Sequence, residues 1–142
     1  MNVRISLVRR MAAVVALLAA MVMTGCGGDS SFVPPIGATP LPVTELLQGV
    51  LAKNGAMTYP FVALAGGPVT VTLTSIEPAV VVGLSLGTWN GASCQIVIAD
   101  DYVEVGEIVV GTASTIGNLC ARIYDVGQIT DLVTYQITLV HP

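Results

Sequence analysis

The chain has 142 residues, more than half of them apolar, with five basic and nine acidic side chains and a formal charge of −4. That length suits one domain with its own core, and the aliphatic, charge-poor composition excludes a disordered chain. Three of the five cations are Arg4, Arg9 and Arg10, so past residue 25 only Lys53 and Arg122 stand against nine acids, a balance of −7. No basic surface is left for phosphates, which excludes nucleic acid as a partner.

Residues 1–25 have the three parts of an export leader, expected to be helical: the positive stretch to Arg10, an uncharged run from Met11 to Met23, and small Thr24 and Gly25. The run has 13 residues, too few to span a bilayer, which needs about 20. Adjacent Arg9 and Arg10 raise a twin-arginine alternative, but Val8 before them and Met11-Ala12-Ala13 after them lack that signal's surroundings. Secretion as an unfolded chain is therefore expected.

Val22-Met23-Thr24-Gly25-Cys26 resembles the lipobox of bacterial lipoproteins, with Met23 where leucine is usual. The resemblance implies cleavage before Cys26, a diacylglycerol on its sulfur and an acylated amino terminus. Gly27 stands where an aspartate would signal inner-membrane retention, so in a host with two membranes the outer one is expected. The implied partner is thus a membrane, reached through the lipid anchor.

Residues 26–42 read as the lipidated cysteine and a tether. Gly27, Gly28, Ser30, Ser31, Pro34, Pro35, Pro40 and Pro42 disfavour helix and central strand alike. Extended at about 3.1 Å per residue, such a segment would hold a domain up to ~50 Å from the lipid.

From residue 43 to residue 142 the signals are those of strands. Val69-Thr70-Val71-Thr72-Leu73-Thr74 alternates strictly, as does Val133–Leu139, and period-two alternation of β-branched residues describes half-buried strands. Leu46–Leu51, Met57–Ala63, Ala79–Leu86, Cys94–Ala99, Tyr102–Val110 and Leu119–Val126 complete a set of about eight. Pro60 confines its strand to an edge or a bulge. Turns at Asn54-Gly55, Gly66-Gly67-Pro68, Asn90-Gly91 and Gly117-Asn118 separate them. Short strands at this spacing predict an all-β fold, an antiparallel β-sandwich.

Several of these residues also carry a resemblance: Tyr59-x-Phe61, the Gly66-Gly67 turn into Val69–Leu73, Gly-x-x-Cys-x-Arg-Ile-Tyr at Gly117–Tyr124, and Tyr135-x-Ile-x-Leu139. Together they resemble the bacterial pre-peptidase C-terminal domain, a β-sandwich often appended to secreted proteases. The resemblance implies an accessory, non-catalytic module that binds matrix or substrate or assists secretion.

The chemistry-bearing residues are few. His141 is the only histidine, and at a fraying terminus nothing would fix its geometry as a general base. Without another histidine, nucleophilic triads have no base, so no catalytic residue and no enzymatic activity are expected. Asp100, Asp101 and Glu104, with Glu107, crowd one loop and could offer oxygens to calcium; a solvated acidic turn is the alternative, and no other cofactor is implied. Trp89, beside Asn90-Gly91, is either an exposed contact residue or a cap on the core. Tyr102 and Tyr124 could extend a binding face, whereas Tyr135 shares parity with Val133 and Ile137 and belongs to the core. Arg122 is expected to meet an acid on a neighbouring strand.

With Cys26 lipidated, Cys94 and Cys120 remain, an even number in a compartment that permits oxidation. A Cys94–Cys120 disulfide is expected toward a sheet's outer face, since Cys120 shares parity with Arg122 and Tyr124; two separate buried thiols are the alternative. These readings converge on an exported, lipid-anchored, non-enzymatic binding module of the cell envelope for a polysaccharide, matrix or protein ligand. A structural or assembly subunit of a membrane-associated complex is the second reading, and an exposed aromatic groove or a broad apolar face would separate the two.

Overall fold

The computed structural model describes residues 40–142. The expected leader, the lipidation expected at Cys26 and the expected tether as far as residue 39 lie outside the described residues. Eight strands follow: β1 (Val43–Leu51), β2 (Ala56–Ala63), β3 (Gly67–Glu77), β4 (Val82–Trp89), β5 (Cys94–Val103), β6 (Ile108–Ala113), β7 (Gly117–Tyr124) and β8 (Val133–His141). They form two four-stranded antiparallel sheets, ordered β1-β8-β3-β6 and β2-β7-β4-β5. Only β4 and β5 are neighbours both in sequence and in a sheet; every other connection crosses between sheets. Eight strands interleaved in this order make a jelly roll, a double-sheet β-sandwich.

The alternation in the sequence sets which faces meet. Val69, Val71 and Leu73 of β3, with Val133, Tyr135, Ile137 and Leu139 of β8, are buried against Val82, Leu84 and Leu86 of β4 and Ala121 and Ile123 of β7. Each such aliphatic side chain contributes about 1.5–3 kcal/mol by leaving water. The threonines between them face outward, so a slip of one residue would invert every face. Tyr135 lies in the core as expected, with its hydroxyl 2.6 Å from that of Tyr59. Pro60 sits in β2, an edge strand, where its missing N–H costs no ladder bond.

Two expectations are corrected. The run Tyr102–Val110 is not one strand: β5 ends at Val103 and β6 starts at Ile108 in the other sheet. Gly106, with φ of 97°, turns the chain in a conformation that favours glycine. Around it, the Glu107 carboxylate accepts the Glu104 N–H at 2.6 Å, and the Gly106 N–H reaches the Leu73 carbonyl at 2.8 Å. Nor does His141 fray. It extends β8 beside Val43 of β1, is 4% exposed, packs its ring 4.8 Å from that of Phe61, and sets Nε2 3.1 Å from Glu45 Oε1.

Candidate functional site

The outer face of the β2-β7-β4-β5 sheet is shaped by small residues. Leu84 and Leu86 point into the core, so Gly83, Ser85 and Gly87 point out. The register sets them opposite Tyr124, Arg122 and Cys120 of β7 in turn. Large β7 side chains therefore meet almost no side-chain bulk on β4. A Cβ on Gly83 would fall 2.3 Å from the Tyr124 ring, so that ring lies over the glycine. Across β4, the Tyr124 hydroxyl donates to Asp101 Oδ1 on β5.

Asp101 and Tyr102 owe their positions to an irregularity. Val82 pairs with Val103 and Leu84 with Asp100, so β5 carries one extra residue between those pairs. Such a bulge re-aims side chains at a sheet edge. Asp100 Oδ1 accepts the Tyr102 N–H at 2.9 Å, and Tyr102 itself is 77% exposed. Val81, Asp101, Tyr102, Tyr124, Val126 and Gln128 line an open cleft of about 440 Å³ at this end of the sheet. Desolvation and the bond to Asp101 push the Tyr124 hydroxyl up to about 12 from its ordinary value of 10.0.

The far wall is held by Asp125. Its Oδ1 accepts the N–H groups of Gly127, Gln128 and Ile129 at 2.8, 2.9 and 3.0 Å, and its Oδ2 that of Asn54 at 2.8 Å. Desolvation would raise the Asp125 carboxyl, but these four donors outweigh it and hold the group below its ordinary value. The loop that carries Val126 and Gln128 is thereby fixed.

Of the residues singled out in the sequence, Tyr102, Tyr124 and Asp101 come together here. Trp89 does not: it ends β4 at the opposite end of the sheet, half-buried, before a turn in which Asn90 Oδ1 accepts the Ala92 and Ser93 N–H groups at 2.9 and 2.8 Å. The Cys94–Cys120 disulfide lies at that end too, joining β5 to β7 with their Cα atoms 5.8 Å apart. It sits on the outer face as parity implied, with Gly87 beneath the β5 backbone: a Cβ there would be 2.2 Å from the Gln95 carbonyl oxygen. Asp100, Asp101 and Glu104 do not converge, and among the described residues no three acidic, histidine or cysteine side chains are placed to hold a metal ion. Arg122 meets no acid: among the described residues it makes no ion pair, and its guanidinium carbon lies 5.8 Å from the Tyr124 ring centroid. Gln128, Val81 and Val126 escaped the sequence reading. Asp125 with Gly127 two residues on is the turn signal that could have pointed toward that loop.

A second cleft of about 350 Å³ opens at the other end, between Leu86, Val97, Ile98 and the β6–β7 turn, and is largely apolar. No protein-family model matches the chain, and no curated protein is significantly similar to it.

Proposed function

We propose that this protein is a non-catalytic saccharide-binding module, held at the bacterial cell envelope by a lipid on Cys26, and that the cleft between Tyr102 and Tyr124 is its binding site. One observation carries the reading: two tyrosines, a carboxylate and an amide converge on a cleft with a fixed wall. Sugar rings offer apolar C–H faces for aromatic stacking and hydroxyls for polar partners. Tyr102 and Tyr124 suit the first; Asp101 and the Gln128 amide suit the second. The volume falls within the range of ligand pockets, roughly 300–1,000 Å³. Jelly rolls include lectin domains, although a fold alone assigns no ligand. The lipobox resemblance supports the anchor, and the pre-peptidase-domain resemblance supports an accessory role.

The full chain should be retained by cell-envelope or matrix polysaccharides in affinity electrophoresis. Tyr102→Ala and Tyr124→Ala together should weaken that retention roughly tenfold, at about 0.5–1.5 kcal/mol per aromatic contact. Retention unchanged in the double variant, with its melting temperature intact, would exclude this cleft.

A structural role draws on the other sheet. Its outer face carries the cross-strand rows Thr44–Val140–Thr70–Val110 and Leu46–Thr138–Thr72–Ile108, none of them charged. An uncharged patch four strands wide suits permanent packing against another protein. Cross-linking through a cysteine placed at Leu46 in intact membranes would report such a neighbour.

A further inference from the structure

The cation beside the cleft has no carboxylate partner among the described residues; its guanidinium lies over the Tyr124 ring. Arg122 and Lys53 are the two cations among the described residues, against eight acids, yet no carboxylate lies within ion-pair distance of Arg122. Its Nε is buried and bonds to nothing, and the same holds for the Ser85 hydroxyl, whose residue is wholly buried. These are cross-strand neighbours, Ser85 directly opposite Arg122 on one face. Buried polar groups are nearly always satisfied, and two orphans side by side call for a missing acceptor. An unpaired, half-buried guanidinium is costly to hold, while its planar fork of donors matches a carboxylate.

Position supplies the rest. The guanidinium carbon lies 5.8 Å from the ring centroid of Tyr124, which also lines the cleft. A saccharide lying against the cleft-facing side of Tyr124 would thus bring a substituent within reach of Arg122. We propose that Arg122, with Ser85 beside it, forms an anion subsite, and that the cleft's ligand is a saccharide bearing a carboxylate, such as a uronic acid. This rests on the saccharide reading above and narrows it. Asp101 lines the same cleft and Asp100 lies near Tyr124, so a dense polyanion is repelled, whereas one carboxylate on Arg122 with hydroxyls toward the acids fits. A ligand acceptor would meet the guanidinium and, with a small rotation of Arg122, the Ser85 hydroxyl.

The test uses the full chain and immobilised saccharides in matched pairs that differ only by a carboxylate in place of a hydroxymethyl group, cellobiouronic acid and cellobiose among them. The acidic members should be favoured roughly tenfold or more, the worth of charge-assisted hydrogen bonds. Arg122→Gln should abolish that preference, read as the ratio of affinities within each pair. Arg122→Lys, which keeps the charge and loses the fork, should retain part of it. Equal binding within pairs that still disappears in Tyr124→Ala would overturn the carboxylate subsite and leave the saccharide cleft standing, with a bridging water as the sole partner of the two orphaned donors. A preference that survives Arg122→Gln would also overturn the subsite. Binding of no member of any pair would overturn both readings.

Discussion

Tyr124 holds the candidate site together because one side chain meets three strands: it belongs to β7, lies over Gly83 of β4 and donates to Asp101 of β5. Its hydroxyl is pushed up to about 12 by desolvation and then by that bond. A raised value means the neutral form is favoured by folding. The stabilisation is complete below the ordinary tyrosine value of 10.0 and is lost as pH rises through about 12. Ultraviolet titration should show two late-ionising tyrosines, Tyr124 and the core residue Tyr135, which burial and its bond to Tyr59 also raise; Asp101→Asn should shift only the Tyr124 component downward. Asp125 has the opposite sign. Its carboxyl is held low, so its contribution is present above the ordinary aspartate value and is lost as pH falls through the depressed one. Asp125→Asn should flatten the acid limb of a stability–pH curve and speed amide exchange at Gly127 and Gln128. An acid limb identical to wild type would show that the four N–H bonds do not govern it.

At the scale of the elements, β4 is the strand on which the face depends. Gly83→Ala would drive a Cβ into the Tyr124 ring and Gly87→Ala one into the Gln95 backbone. Overpacking of this kind typically costs about 1–3 kcal/mol. The Gly87 change should cost more, because backbone cannot swing aside as a ring can, and urea melts of the two variants would rank them. The disulfide joins β5 to β7 across β4 and spans 26 residues; on the chain-entropy model a loop that long contributes about 3.5 kcal/mol. Paired Cys94→Ala and Cys120→Ala should lower the urea midpoint accordingly. Alternation made most strands legible: Val69–Thr74 and Val133–Leu139 declare their faces residue by residue. The break between β5 and β6 was not legible, because Val105 continues the apolar run and only Gly106 marks the turn. Tyr102 and Tyr124 could each be named in the sequence, but their meeting depends on β5 and β7 flanking the same strand, and sheet order is non-local. The role of Gly83 was hidden for the same reason, since a glycine announces close approach without saying what approaches.

For the whole molecule, the proposed anchor and the described domain make separable demands. Cys26→Ser should abolish lipid labelling and leave an unprocessed precursor while the strand-rich circular dichroism of the domain persists; equal labelling of mutant and wild type would remove the anchor. The described core is built from side chains of all eight strands and Ile129. The interleaved strand order has a kinetic consequence. Only the β4–β5 hairpin can form from local contacts; β1 must wait for β8, nearly the full length of the domain away, and β2 for β7, more than half of it away. Contact order this high places folding toward the millisecond-to-second end of the two-state range. A chain exported unfolded would then spend that interval with β4 and β5 paired and Cys94 and Cys120 still unjoined, so the cell's thiol oxidant and its polypeptide-holding chaperones would meet this protein before its ligand does.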